Sequence, residues 1–145
     1  MQNLSVHHPV LATSTPLYGL LVRGAVQAGF PSPAEDLGAQ RIDLTELLVR
    51  HAQATYFLRA AGHSMVEAGI HDQDILVVDR AIKPRNGHIV VAIVDGDFTV
   101  KQLYQRGGRI RLKAANATYP DITPKDGQTI EVWGVVTSTI KQFSA

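Results

Sequence analysis

The chain has 145 residues, 45% of them hydrophobic and 19% charged, which makes it a globular chain of about one domain with enough length for a real core. Fourteen Lys+Arg against thirteen Asp+Glu leave a net charge of +1 and no basic stripe, which argues against a protein that lives on phosphate contacts, and the absence of cysteine removes disulfides, thiolate zinc sites and thiol nucleophiles. No apolar run approaches the ~18 residues of a membrane span, and Met1–His8 lacks the charged and apolar regions of a signal peptide, so the chain reads as cytoplasmic with no membrane partner.

Residues 1–40 differ from the rest. They hold Pro9, Pro16, Pro31 and Pro33, four of the seven prolines, together with Gly19, Gly24, Gly29 and Gly38. These residues interrupt any long periodic pattern. Leu17, Leu20, Leu21, Val22 and Val26 read as either a short helix or an extended arm. Ala28-Gly29-Phe30-Pro31-Ser32-Pro33 reads as an exposed, extended linker, because proline fixes its own φ and restricts the residue before it. The division expected is a flexible arm over 1–40 and a folded domain over 41–145. A helix start follows. Asp43 can cap, Glu46 sits three residues on, and Ile42 and Leu47 have staple spacing, which predicts one short helix running to about His51.

From Thr55 the pattern is β. Tyr56-Phe57-Leu58, Ile75–Val78 and Ile89–Val94 are strand candidates rich in β-branched and aromatic residues. Asp95-Gly96 is a two-residue hairpin signal, returning through Phe98–Tyr104. Such a turn pairs Val94 with Asp97, Ile93 with Phe98, Ala92 with Thr99 and Val90 with Lys101. Gly107-Gly108 precedes the alternating Arg109–Lys113, and Ile130–Val136 closes the set. The fold class expected is therefore mainly β, compact, with one short helix.

Two constellations could carry chemistry. Gly62-His63-Ser64-Met65 places a serine beside glycine in a turn, where a hydroxyl and backbone amides can meet a carbonyl. The same stretch, Ser64-Met65-Val66-Glu67, also fits a structural capping box. Lys101 shares a strand face with Thr99, Leu103, Val90 and Ala92 under the hairpin register. An ammonium in apolar surroundings loses hydration, which lowers its pKa and fits it for general-base work. The bland alternative is a lysine on a solvated strand edge. The six histidines have no metal-ligand spacing, and Asp72-Gln73-Asp74 lacks the later glycine and closing glutamate of a calcium loop, so neither metal nor other cofactor is expected.

Gly62-His63-Ser64-Met65, Asp74–Asp79, Asn86–Ala92, Asp95-Gly96-Asp97-Phe98-Thr99-Val100-Lys101, Asn116–Pro120 and Val132–Val136 resemble, in order, the LexA/UmuD group of Ser–Lys self-cleaving proteins. Gly29-Phe30-Pro31-Ser32-Pro33-Ala34 and Gln40–Leu44 resemble its UmuD-type members. The resemblance implies a LexA-like β protease and dimerisation domain, Ser64 as nucleophile, Lys101 as general base, and Ala28–Gly29 as the bond cut. It implies an oxyanion site at the backbone amides of His63 and Ser64. It further implies a homodimer, stimulation of cleavage by a RecA–single-stranded DNA filament, and service of the shortened dimer to a Y-family, UmuC-like polymerase in translesion synthesis. The arm is too short for the helix-turn-helix domain of repressors, so no direct sequence-specific DNA binding is expected. The alternatives are a polymerase-binding module that does not cleave and a truncated phage-type repressor domain. Two departures from the family pattern stand out. Gln73 occupies a turn position that the family often gives to glycine, and His88 one that it often gives to aspartate.

Overall fold

The computed structural model describes residues 10–23, 26, 28–29, 38–125 and 128–144. Two antiparallel sheets are present among them. The strands are β1 (Val10–Leu11), β2 (Tyr18–Val22), β3 (Ala39–Asp43), β4 (Thr55–Arg59), β5 (Ile75–Asp79), β6 (Ile89–Val94), β7 (Asp97–Arg106), β8 (Arg109–Lys113) and β9 (Ile130–Ile140), with one α-helix, α1 (Leu44–Leu48). Seven strands form a sheet in the order β1-β4-β5-β9-β6-β7-β8, and β2 and β3 pair as a separate ribbon. The molecule is mainly β, as its patterning predicts.

Local chemistry explains most of these elements. Asp95 and Gly96 adopt left-handed φ values of 49° and 89°, the pair of positive angles a tight twisted hairpin needs. The resulting register matches Val94 with Asp97, Ile93 with Phe98, Ala92 with Thr99 and Val90 with Lys101. Period-two alternation along β6 then sends Val90 and Ala92 into one buried cluster, with Leu103, Leu112 and Val135, and Val91 into another, with Leu58, Met65, Leu76 and Val78. Both faces of β6 are covered, which is why its sequence is one unbroken apolar run. Strand β9 lies between β5 and β6, with a register shift against each of them. Its Gly134 lies where a Cβ would stand 2.6 Å from a γ-carbon of Val78.

Of the two readings open for the stretch around Leu17–Val22, the extended one is found: it pairs with β3, Tyr18 opposite Asp43 and Val22 opposite Ala39. The helix is shorter than its patterning predicts. The helix stops at Leu48, where Val49 turns to extended geometry and its N–H donates to the Thr45 carbonyl. Asp43 does cap it, its carboxylate accepting from the Thr45 N–H at 3.0 Å and also from the Leu17 N–H at 2.9 Å. Strand β3 runs across residues 40 and 41, so paired structure spans the division expected there. Of the linker expected over Ala28–Pro33, residues 30–33 lie outside the described residues.

Candidate active site

The turn after β4 is fixed from several sides. Gly62 sits at φ +90°, and its N–H donates to an Asp72 carboxylate oxygen at 2.7 Å. The Asn116 side-chain amide donates to the His63 carbonyl at 2.8 Å. Met65 is buried in the core, and its sulfur accepts from the Ala115 N–H at 3.3 Å. Ser64, between His63 and Met65, is thereby held half-buried at a defined place. Asp72 can reach Gly62 because Gln73 takes the positive φ of 75° that its turn requires, an unfavourable angle for a side-chain-bearing residue.

Lys101 reaches the same place from β7, 37 residues away in sequence. Its Nζ donates to Ser64 Oγ at 2.9 Å, to Thr99 Oγ1 at 3.0 Å and to the Val100 carbonyl at 3.2 Å. The side chain is only 8% exposed, and its cross-strand neighbour Val90 is fully buried. Burial strips hydration from the ammonium and pushes its pKa below the ordinary lysine value. The three partners suit the neutral form as well. Thr99 Oγ1 and the Val100 carbonyl can accept the two hydrogens of an amine, which leaves its lone pair for the Ser64 hydroxyl. The capping-box alternative for Ser64 is not realised: the short 3-10 turn Val66–Ala68 has no side-chain cap, and Ser64 Oγ faces Lys101.

Both residues line a cleft of about 350 Å³ between Leu58–Ala61 on one side and Asp97–Lys101 on the other. β1 pairs with β4 only at Tyr56 and Phe57, and β8 pairs with β7 only from Gln102 onward. Beyond those points the outer edges of β4 and β7 have no strand partner among the described residues, so the cleft can take an extended peptide by main-chain pairing. Neither His63 nor Ser64 donates its backbone N–H to any group among the described residues. Ala28 and Gly29 are exposed in a bend and do not line the cleft. Sequence reasoning overlooked Thr99 and Asn116 as supports of the site and Asp72 as the anchor of Gly62. The signal for Thr99 was its position two residues from Lys101 on the same strand face. Away from the cleft, His51 Nδ1 is 2.6 Å from a carboxylate oxygen of buried Asp79, Lys141 pairs with buried Asp74, and Arg111 pairs with Asp121. No cluster of three or more metal-ligating side chains occurs among the described residues, and none of their helices is long and apolar enough to cross a membrane.

Comparison with known proteins relates the chain to a peptidase family. Residues 16–137 match the family model described as Peptidase S24-like. The chain is 47% identical over 113 residues to the protein SamA of Salmonella typhimurium, covering 78% of each chain. It is 47% identical over 117 residues to the protein MucA of Escherichia coli, covering 79% of each. It is also 38% identical over 117 residues to the LexA repressor of Leptospira interrogans, which spans 81% of this chain and 55% of the repressor.

Proposed function

The chain belongs to the peptidase S24-like family, among its UmuD-type SOS mutagenesis proteins, and from that premise we propose that Ser64 and Lys101 form a dyad that cuts the chain's own Ala28–Gly29 bond. Neutral Lys101 takes the Ser64 hydroxyl proton as Oγ attacks the Ala28 carbonyl carbon. The free N–H groups of His63 and Ser64 face the oxyanion that forms. Collapse breaks the C–N bond, and the Lys101 ammonium gives its proton to the departing Gly29 amine. Water then attacks the ester on Ser64; Lys101 takes its proton and returns one to Oγ. Small Ala28 and side-chain-free Gly29 let the backbone lie close to the dyad.

The observation that carries this reading is the 2.9 Å contact between a buried lysine amine and a serine hydroxyl whose neighbours are pinned. Residues 1–40 serve as the arm that presents the bond, and residues 41–145 as the peptidase and dimerisation domain. Because the substrate is part of the same molecule or dimer, local concentration is high and control lies in seating the bond in the cleft. A RecA–single-stranded DNA filament favours that seating, and the shortened homodimer then serves a Y-family, UmuC-like polymerase as an accessory subunit in translesion synthesis. The test is self-cleavage of the purified protein. Loss of the first 28 residues, read by mass, should accelerate from about pH 7 to 10 as lysine deprotonates. Ser64→Ala, Lys101→Ala and Lys101→Arg should each abolish it, the last because guanidinium keeps its proton. Continued loss of those residues from folded Ser64→Ala or Lys101→Ala protein would refute the dyad.

A further inference from the structure

The bond proposed to be cut lies in the connection between β2 and β3, so its two sides belong to two paired strands. All five residues of β2 pair with β3, from Tyr18 opposite Asp43 to Val22 opposite Ala39. The Arg41 guanidinium stands 3.8 Å over the Tyr18 ring. Around the start of α1, Leu17 N–H donates to Asp43, Thr45 Oγ1 donates to the Thr15 carbonyl at 2.6 Å, and Leu44 N–H donates to the Leu17 carbonyl at 2.7 Å. Further upstream, β1 pairs with the edge of β4, and buried Ala12 donates its N–H to the Thr55 carbonyl at 2.8 Å. None of these contacts passes through the bond between Ala28 and Gly29.

We propose that the edges of β3 and β4 form a strand-docking surface whose occupant is segment 10–22 of this chain, so that hydrolysis leaves a nicked complex and departure of the 28-residue piece is a separate step. The inference rests on the cleavage reading above. The two pairings are joined by only a few residues, Ala12–Leu17. Loss of one leaves the other at high local concentration, and both must open together for the piece to leave. Hydrolysis adds a carboxylate and an ammonium in an exposed bend, away from either pairing.

The test uses two preparations of the full chain. One is the wild type after alkaline self-cleavage. The other is a Ser64→Ala chain carrying a recognition sequence for a site-specific protease inserted after Gly29 and cut there. Denaturing mass spectrometry reads whether the chain is cut, and size exclusion in native buffer reads whether the pieces travel together. We expect both nicked preparations to co-elute as one species and to separate in denaturant. Leu21→Pro, which removes a donor at a hydrogen-bonded position of the β2–β3 pair at a side chain 54% exposed, should release most of the piece, and Arg41→Gln should release less. A nicked preparation whose short piece elutes alone in native buffer overturns the proposal. Failure of the wild type to cut itself counts against the cleavage reading only, since the protease-cut chain still decides retention.

Discussion

Lys101 has three acceptors around its nitrogen and almost no water, and those two facts pull in opposite directions. The acceptors hold the amine on Ser64, while burial makes its charge costly. Thr99 is the side chain that orients the amine without reacting. Thr99→Val keeps the shape and removes the acceptor, leaving one amine hydrogen unpaired. Cleavage at its alkaline plateau should fall by about 10- to 100-fold through misplacement of the base, with the dyad chemistry intact. Thr99→Ser should recover most of the rate, which a merely structural role for the residue would not require. Stability tests the cost of the charge. Between the lowered folded-state pKa and the ordinary 10.5, the unfolded chain binds more protons than the folded one. The contribution of Lys101 to stability is therefore least favourable below that window and rises with pH through it. Lys101→Met should raise the urea midpoint at pH 7, and the gain should shrink toward pH 10. A variant less stable than wild type at pH 7 would contradict the assignment of a desolvated ammonium.

At the scale of elements, the central strand β9 shows how little room the sheet leaves. Val78 is fully buried, and the Cβ added by Gly134→Ala would meet its side chain at 2.6 Å and the Arg80 side chain at 3.2 Å. Val78 has no empty side to move into, so the variant should lose about 1–3 kcal/mol of unfolding free energy in urea, the usual cost of overpacking a core. The Ser64 turn is built on the Met65 side of the same core cluster as Val78, so slower self-cleavage should accompany the loss. Much of this architecture was legible beforehand. The Asp95-Gly96 turn dictates the β6–β7 register, and with it the place of Lys101 opposite Val90, because a two-residue turn admits one pairing. The contact between Ser64 and Lys101 could not be read from periodicity. It depends on β4 and β7 facing one another across a cleft, although three strands separate them in the sheet order, and only the family resemblance pointed to it. The end of β9 was also hidden. Thr137-Ser138-Thr139 breaks the apolar run, yet Ser138 pairs with Val77 and Thr139 with Leu76 through the backbone, and Thr139 donates to buried Asp74. The β2–β3 ribbon escaped for a related reason: its side chains are mostly exposed, so no buried face imposes a pattern on them.

For the molecule as a whole, the distribution of burial sets where it should open first. Both buried clusters lie between Leu58 and Val135, and every strand from β4 to β9 contributes to at least one of them. The ribbon upstream has no buried residue: Leu20 is 74% and Val22 65% exposed. Segments that bury little apolar surface open at small free-energy cost and are cut first by added protease. Arg23 is exposed immediately after β2, whereas Arg41 lies within the paired β3 with its guanidinium over Tyr18. Farther along, Arg59 is at the end of β4 with its guanidinium donating to the Gln73 carbonyl, and Arg80 donates to the Trp133 carbonyl while lying over the Trp133 ring. Limited trypsin digestion should therefore cut first at Arg23, giving a product that lacks the first 23 residues, and only later within the residues from Arg50 to Arg111. The cut at Arg23 leaves β1–β4 and β2–β3 pairing in place, so the truncated mass should appear under denaturing conditions before any change in native elution. A first cut between Arg50 and Arg111 would mean that the core opens more readily than the ribbon, and the division into an arm and a peptidase domain would have to be redrawn.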